Sequence, residues 1–238
     1  MKKMLNYVKQ QRWLVLLLGV TILFSACKKE VDTPQTPASG LMVFNLIPGH
    51  SAVGFVMSNK IITNAPLAYT NYSGNYISVY SGSRDVKLYD VTGDSTITDV
   101  NQQFEQDKYY SAFALGADGN YRTVIVDDNL NSIPDSTNKA FVRYINAIPD
   151  SSKPMVTIAE GGTNVVDDMA SYAKVSGFES VNPGEITIAI SNGTNISASR
   201  TITVEKGKVY TILLLGLPGA TDEATKVQIK FITNGSVS

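Results

Sequence analysis

EQDKYYSAFALG, residues 105–116, recurs as EKGKVYTILLLG at residues 205–216. The two stretches share glutamate, lysine, tyrosine, leucine and glycine at the same relative positions, 100 residues apart and without a gap. Both are rich in aromatic and β-branched or other apolar residues, which is typical of a buried strand. This repeated strand indicates a duplicated β domain.

Two further matches support the duplication. Asn45-Leu46-Ile47-Pro48 corresponds to Asn146-Ala147-Ile148-Pro149 at an offset of 101 residues, and Val79-x-x-Gly82 corresponds to Val181-x-x-Gly184 at an offset of 102. A period of this length is too long for a solenoid unit, so the pattern indicates one domain copied once.

Short runs rich in valine, isoleucine, tyrosine and phenylalanine recur through both copies, separated by turn dipeptides such as Asn192-Gly193. In Ile186–Ile190 the isoleucines alternate, so that they point to one face of a sheet. We predict an all-β fold of two tandem immunoglobulin-like antiparallel β-sandwich domains. The segment Val165–Ala173 is compatible with a short helix or with a connection between sheets. The predicted strands are Leu41–Ile47, Tyr76–Tyr80, Asp85–Tyr89, Tyr109–Leu115, Arg122–Val126, Ala140–Ile145, Met155–Ile158, Glu185–Ile190, Ser199–Val204, Val209–Leu215 and Lys226–Ile232.

Tyr110 and Tyr210 stand at the start of the repeated apolar strand. Sandwich domains often place a tyrosine there, with its hydroxyl bonded to backbone a few residues upstream. We expect both to be structural.

The first 26 residues predict a signal peptide. Four basic residues precede an apolar run of about 12 residues, which is too short to span a bilayer. The run ends in Leu23-Phe24-Ser25-Ala26-Cys27, which resembles the lipobox of bacterial lipoproteins and holds the only cysteine of the chain. The resemblance implies cleavage before Cys27, its acylation, and membrane attachment through that lipid. Ordinary secretion and a transmembrane helix are the alternatives.

Residues 27–40 contain Pro34, Pro37 and Gly40 and little apolar bulk, so we predict a flexible lipid-anchored tether. Lys28 stands where an aspartate would resemble the signal for inner-membrane retention, which favours the outer membrane. Lys28-Lys29-Glu30 resembles a short surface-export signal and favours the cell surface over the periplasmic face. Beyond the tether we predict a first sandwich at 41–128, a linker at 129–139 and a second sandwich at 140–238.

Charge excludes one class of partner. The leader takes four of the 20 basic residues and none of the 21 acidic ones, which leaves a net charge of −5. No basic stripe is present, so we expect no nucleic-acid partner.

The residues Phe141–Asp150, together with Gly82, Gly184 and the Lys-x-Tyr strand that ends in Leu-Gly, resemble the domain-of-unknown-function 4397 family of exported bacterial proteins, as found in Bacteroidota. The resemblance covers residues 41–235 and implies tandem sandwich domains, often in lipoproteins. It implies no activity. Relatives often carry a histidine where this chain has Asn146, so no role of that histidine is carried over.

No catalytic constellation is evident. The single histidine, His50, lies in a turn-like stretch and has no counterpart in the second copy, so we expect an exposed loop residue and no enzyme. Asp127, Asn129, Asn131 and Asp135 have the alternate spacing of a calcium loop but lack its glycine and its glutamate. A solvated linker is the favoured interpretation, and we predict no cofactor.

Two further site hypotheses remain. Asp94-Ser95-Thr96 and Asp135-Ser136-Thr137 resemble acceptor motifs for O-glycosylation, with Ser95 and Ser136 as acceptors. Tyr72, Tyr76 and Tyr80 are clustered and could stack on a glycan or a protein partner, although strands are often rich in tyrosine that packs in the core.

These observations favour a non-enzymatic, lipid-anchored cell-envelope protein that acts as an adhesion, scaffolding or binding module. The alternative is a glycan-binding accessory lipoprotein of an outer-membrane uptake system. In both cases the partner is the membrane, through the lipid, together with an unknown protein or glycan.

Overall fold

The computed structural model describes residues 36–50, 52–134 and 138–237. Within these ranges the chain is built of β-strands with a single turn of 3-10 helix at Leu130–Ser132. The predicted signal peptide and Cys27 lie outside the described residues. The strands are β1 (Ala38–Asn45), β2 (Val53–Met57), β3 (Lys60–Ile61), β4 (Ile77–Tyr80), β5 (Gly82–Asp90), β6 (Ser95–Phe104), β7 (Tyr109–Ala117), β8 (Asn120–Asp127), β9 (Ala140–Asn146), β10 (Met155–Glu160), β11 (Thr163–Met169), β12 (Glu179–Val181), β13 (Gly184–Ser191), β14 (Ser197–Val204), β15 (Lys208–Leu215) and β16 (Gln228–Ser236).

The strands form two sandwiches of two four-stranded sheets each. In the first sandwich the sheet orders are β4-β1-β7-β8, which we name the first inner sheet, and β3-β2-β5-β6, the first outer sheet. The second sandwich repeats this arrangement, with β12-β9-β15-β16 as its inner sheet and β11-β10-β13-β14 as its outer sheet. The predicted all-β fold with two tandem sandwiches is confirmed.

One strand pair in each inner sheet is parallel rather than antiparallel. β1 pairs with β7 and β9 pairs with β15, in matching registers such as Met42 with Ser111 and Arg143 with Thr211. The first strand of each domain is therefore central in its sheet, between the fourth strand and the seventh. Because the two central strands are parallel, they begin at one end of the sandwich and finish at the other.

Each sandwich has its own apolar core between its two sheets. In the first, alternate residues of β1 such as Leu41 and Val43 meet Phe55 and Leu88 of the outer sheet. In the second, Val142 and Tyr144 of β9 meet a cluster that includes Ile186 and Ile188 of the outer sheet. These side chains are fully buried or nearly so, as a strand with one face toward a core requires.

The repeated tyrosines form the expected corners. The hydroxyl of Tyr110 accepts the backbone N–H of Glu105 at 3.0 Å, and that of Tyr210 accepts the backbone N–H of Glu205 at 3.0 Å. Both rings are almost fully buried. The Glu-x-x-Lys-x-Tyr pattern is thus a closed six-residue turn that leads into β7 and into β15.

The Leu-Gly end of the same motif also has a steric cause. Gly116 and Gly216 have φ values of 139° and 110°. A Cβ at Gly116 would lie 2.3 Å from the carbonyl oxygen of Asn120, and one at Gly216 would lie 2.3 Å from that of Lys226. Only glycine allows the following strand to approach so closely.

The Asn-x-Ile-Pro repeat contains a buried asparagine that closes the loop after the central strand. The Asn45 side chain donates to the carbonyls of His50 and Leu67, both at 2.9 Å, and accepts the backbone N–H two residues on at 3.1 Å. Asn146 donates to the carbonyl of Ala170 at 2.9 Å and accepts the backbone N–H of Ile148 at 3.1 Å. The repeat is structural in both copies.

The structure changes three expectations from the sequence. Residues 38–40 of the predicted tether form the start of β1. The predicted linker at 129–139 is not simply solvated, because Ile133 packs with Phe141 and Val209. The segment Val165–Ala173 contains no helix: it continues β11 as far as Met169.

Asp168 of β11 ties the second outer sheet to the inner one. Its carboxylate accepts from the Tyr144 hydroxyl and lies 2.6 Å from the ammonium of Lys174. The lysine contact, followed by the tyrosine contact, holds the pKa of Asp168 below its usual value of 3.8.

Replacing Tyr110 or Tyr210 by phenylalanine should lower the free energy of unfolding by about 1 kcal/mol each, because the backbone N–H loses its acceptor inside the corner. Urea denaturation of the full chain measures this. Tyr80→Phe is the matched control, since the Tyr80 ring is 64% exposed. Equal stability of the corner variants and wild type would contradict a stabilising corner.

The Asp168 contact predicts a pH dependence. Because its pKa is lowered in the folded state, its stabilisation is present above the usual pKa and is lost as pH falls through the lowered value. Asp168→Asn should therefore be less stable than wild type near neutral pH, and the difference should shrink as the pH falls below the usual pKa of 3.8. Urea titrations at several pH values test this, with the exposed neighbour Asp167→Asn as control. A difference that is independent of pH would refute it.

Candidate functional site

The two inner sheets pack face to face and bury a second apolar layer, which we name the seam. Met42, Phe44 and Phe113 of the first inner sheet form one cluster with Ile145 and Leu213 of the second. All five side chains are at most 1% exposed. β1, β7, β9 and β15 are therefore buried on both faces.

A buried ion pair crosses the seam. The guanidinium Nη1 of Arg143, in β9, lies 2.8 Å from Oδ1 of Asp128, just after β8, and the two side chains are 2% and 0% exposed. Arg143 also donates from Nη2 to the Ser111 hydroxyl at 2.9 Å and from Nε to the Thr211 hydroxyl at 3.0 Å. Its charge lies 4.5 Å from the centre of the Phe178 ring. The first sandwich thus supplies the carboxylate and the second supplies the arginine.

The second oxygen of Asp128 has two hydrogen-bond donors. It accepts from the Ser111 hydroxyl at 2.8 Å and from the Tyr76 hydroxyl at 2.5 Å. The Asn234 amide donates to the same tyrosine oxygen at 3.3 Å. Burial first, and then the Asp128 carboxylate, raise the pKa of Tyr76 far above its ordinary value, so this phenol stays protonated as a donor. We name these groups the seam network.

Grooves lie at the two ends of the seam. Chain entry at Ala38 defines one end, because β1 runs away from it. The tether-proximal groove, about 430 Å³, includes Tyr76, Tyr109, Ile133 and Asn234. The tether-distal groove, about 790 Å³, lies beyond the opposite ends of the central strands. The two ends are separated by the length of a central strand, which is roughly 26 Å for the eight residues of β1.

The tether-distal groove is lined by both sandwiches. The β7–β8 turn contributes Asp118 and Arg122, the loop after β9 contributes Asp150, and the segment after β11 contributes Tyr172. The Arg122 guanidinium lies 5.0 Å from the centre of the Tyr172 ring. Since the β7–β8 turn and the loop after β9 both follow inner strands, the packing of the seam sets the distance between these two walls of the groove.

His50 supports one wall of the same groove. Its Nε2 and the Tyr121 hydroxyl share a hydrogen bond of 2.9 Å, and its Nδ1 lies 4.0 Å from an Asp90 oxygen. The side chain is only 24% exposed, so the expected exposed loop histidine is instead a partly buried link between the β1–β2 loop and β8.

The tyrosine cluster is divided by the structure. Tyr72 stacks on Phe44 with ring centres 5.5 Å apart, and Tyr76 joins the seam network and meets Tyr109 edge-on. Only Tyr80 of the three is largely exposed. Ligand binding by these tyrosines stays a prediction, although two of the rings already have internal partners.

Two of the side chains proposed as calcium ligands, Asp127 and Asn131, already contact other residues. The Asp127 carboxylate lies 3.1 Å from the Lys108 ammonium and accepts the Asn129 backbone N–H at 2.8 Å. Asn131 donates to the Asp107 carbonyl at 3.3 Å, and Asp135 lies outside the described residues. Within the described ranges, no three His, Cys, Asp or Glu side chains come together as a metal site would need.

The glycosylation hypothesis remains untested. Ser95 is exposed and begins β6 directly after the hairpin turn, and Ser136 lies outside the described residues.

Comparison with protein-family models places the chain. The model of the domain of unknown function DUF4397 matches residues 39–151 and again residues 140–236. The chain belongs to the DUF4397 family. Each family match begins at or near the first strand of one sandwich, so the duplicated domain inferred above is the family's unit.

Other comparisons add little to the family assignment. A search of curated proteins found no match. Among solved structures, the chain is similar to a "putative cell adhesion protein" from Bacteroides eggerthii DSM 20697, with 9% identity, 85% of this chain and 96% of the other covered, and a TM-score of 0.27. Across the described residues, no helix has the length and apolar character needed to cross a bilayer.

Removing one charge of the seam should destabilise the protein strongly. Arg143→Met leaves the Asp128 carboxylate buried without its cation, and Asp128→Leu leaves the arginine unpaired, so each should cost about 3–5 kcal/mol. The double variant should recover much of that loss, because no lone charge remains. Denaturant unfolding in a double-mutant cycle measures the coupling.

The control is Lys87→Met in the exposed pair with Asp99, whose charged atoms are 3.5 Å apart. That change should cost less than about 1 kcal/mol. Additive effects of Arg143→Met and Asp128→Leu would show that the ion pair does not couple the sandwiches.

Proposed function

We propose that this DUF4397 protein is a non-enzymatic, lipid-anchored protein of the cell envelope that acts as an adhesion, scaffolding or binding module. The observation that carries the proposal is the position of the tether-distal groove. β1 starts at Ala38, directly after the segment that would join it to Cys27, and the groove lies beyond the far end of that strand. A lipid at Cys27 would thus leave the groove at the end of the molecule remote from chain attachment.

Rigidity supports a binding role. A module that presents a surface away from a membrane benefits from having no loose joint between its domains. The seam supplies this, since its apolar layer and its buried ion pair tie the sandwiches together. The two sandwiches are therefore better described as one binding body than as two independent domains.

The finer parts of the proposal rest on sequence. The lipobox-like Leu23–Cys27 supports acylation, Lys28 supports the outer membrane, and Lys28–Glu30 supports the cell surface. Several acyl chains on one cysteine would provide the firm attachment that a single chain lacks. His50 has Tyr121 and Asp90 as neighbours but no serine or cysteine nucleophile among its described contacts, which favours binding over catalysis.

Replacing Cys27 by serine tests the anchor and the role together. The variant should carry no acyl mass, should lose protease sensitivity on intact cells, and cells that carry it should adhere as poorly to host-matrix or bacterial surfaces as cells without the protein. Ser25→Ala, which keeps a small residue before the cysteine, should behave as wild type. A wild-type protein that carries no acyl mass, a Cys27→Ser protein that stays protease-sensitive on intact cells, or adhesion that is unchanged when the protein is absent would contradict the proposal.

A further inference from the structure

The tether-distal groove has the lining of a ligand site rather than of a solvent channel. We infer that it binds an uncharged oligosaccharide; this rests on the proposed function, for which it names the ligand class. The groove is an open trough of about 790 Å³ shared by both sandwiches, which is large enough for a few sugar rings.

Its polar groups match hydroxyls. A sugar hydroxyl donates one hydrogen bond and accepts others, so a sugar site needs donors and acceptors side by side. Arg122 supplies donors only, Asp118 and Asp150 supply acceptors only, and Asn120 supplies both. These four side chains come from two different sandwiches and meet at one trough.

Arg122 is positioned without being neutralised. Its guanidinium lies over the Tyr172 ring, which restricts its orientation by a cation–π contact. Within the described residues, no oxygen accepts a hydrogen bond from it and no carboxylate lies within ion-pair distance. Its planar set of donors is thus available to a ligand, and little conformational freedom has to be lost on binding.

The charge balance disfavours ionic ligands. Two aspartates and one arginine give the lining a net charge of −1, which does not attract a polyanion. The arginine in turn disfavours a simple cation site. A neutral ligand with many hydroxyls avoids both penalties.

The apolar part of the lining suits the C–H faces of sugar rings. Pro149 and Pro218 stand beside the polar groups, and Leu217 follows β15. Prolines and a leucine on short loops form a fixed surface, since these side chains lose little entropy on contact. The tether-proximal groove differs, because its lining carries no charged side chain and it faces the end where the chain enters.

A glycan array probed with the purified full chain tests the inference, followed by titration calorimetry with the neutral oligosaccharides that bind. Arg122→Ala should weaken binding by about tenfold or more, because it removes donors to the ligand, and Asp150→Asn should weaken it less, because it exchanges one acceptor for a donor. Asp150→Asn retains an oxygen for the Ser152 backbone N–H, so the loop should keep its shape. The matched controls Arg84→Ala and Asp99→Asn, on the first outer sheet, should bind as wild type.

The outcomes separate the inference from the proposed function. Binding of neutral glycans that falls in the groove variants and not in the controls supports a sugar site. Binding confined to acidic glycans, binding equal in all variants, or no glycan binding overturns it. If no glycan binds while adhesion still depends on Cys27, the inference fails and the proposed function stands; if adhesion is also independent of the protein, both fail.

Discussion

Arg143 and Asp128 carry opposite charges at a place that water does not reach, and the rest of the molecule is arranged around that constraint. Removing two ions from water costs several kcal/mol each, and a buried pair recovers this only when its remaining hydrogen-bonding groups are also satisfied. Ser111, Thr211 and Tyr76 meet that requirement from both sandwiches. Any slip of one inner sheet over the other would leave a lone charge among apolar side chains. The pair is therefore better understood as setting the register of the seam than as adding net stability, which the apolar cluster supplies.

The geometry of the tether-distal groove depends on the register between the two inner sheets. Its walls are loops, and loops on separate domains joined by a flexible linker would hold no fixed distance. Here one wall from each sandwich follows a strand of an inner sheet, β7 in the first and β9 in the second, and both inner sheets are packed on each other. The corner tyrosines and the Leu-Gly close approaches serve the same end, since they determine where β7 and β15 begin and finish. A duplicated domain with no evident chemistry in either copy can in this way create a composite site that neither copy contains.

The sequence predicts the sandwiches well and the seam poorly. The 100-residue repeat, the tyrosine corners and the hairpin turns are local patterns, and local patterns identify strands and their order along the chain. The predicted strands omit β2, β3, β6, β11 and β12. β6 and β11 are polar and carry little apolar periodicity, and β2, β3 and β12 are no more than five residues long. One sequence signal of the seam is present. The segments AFVRYINAI at residues 140–148 and VYTILLL at residues 209–215 are nearly continuous apolar runs, as expected of strands buried on both faces. An arginine inside such a run signals a buried partner, but the identity of that partner, Asp128, depends on how two domains pack. The groove depends on the same packing.

The central position of β1 bears on how the chain reaches its native state. β1 pairs with β7, about 70 residues later, so the first sandwich has no complete inner sheet until nearly the whole domain is available. Contacts of such long range make for slow folding. Even when complete, that sheet would expose Phe44, Phe113 and their neighbours until the second domain covers them. A chain secreted from its N-terminus would then pass through a stage in which the apolar face of the first inner sheet is exposed to solvent. To avoid aggregation it would depend on rapid folding of residues 140–238 or on a chaperone that binds this face.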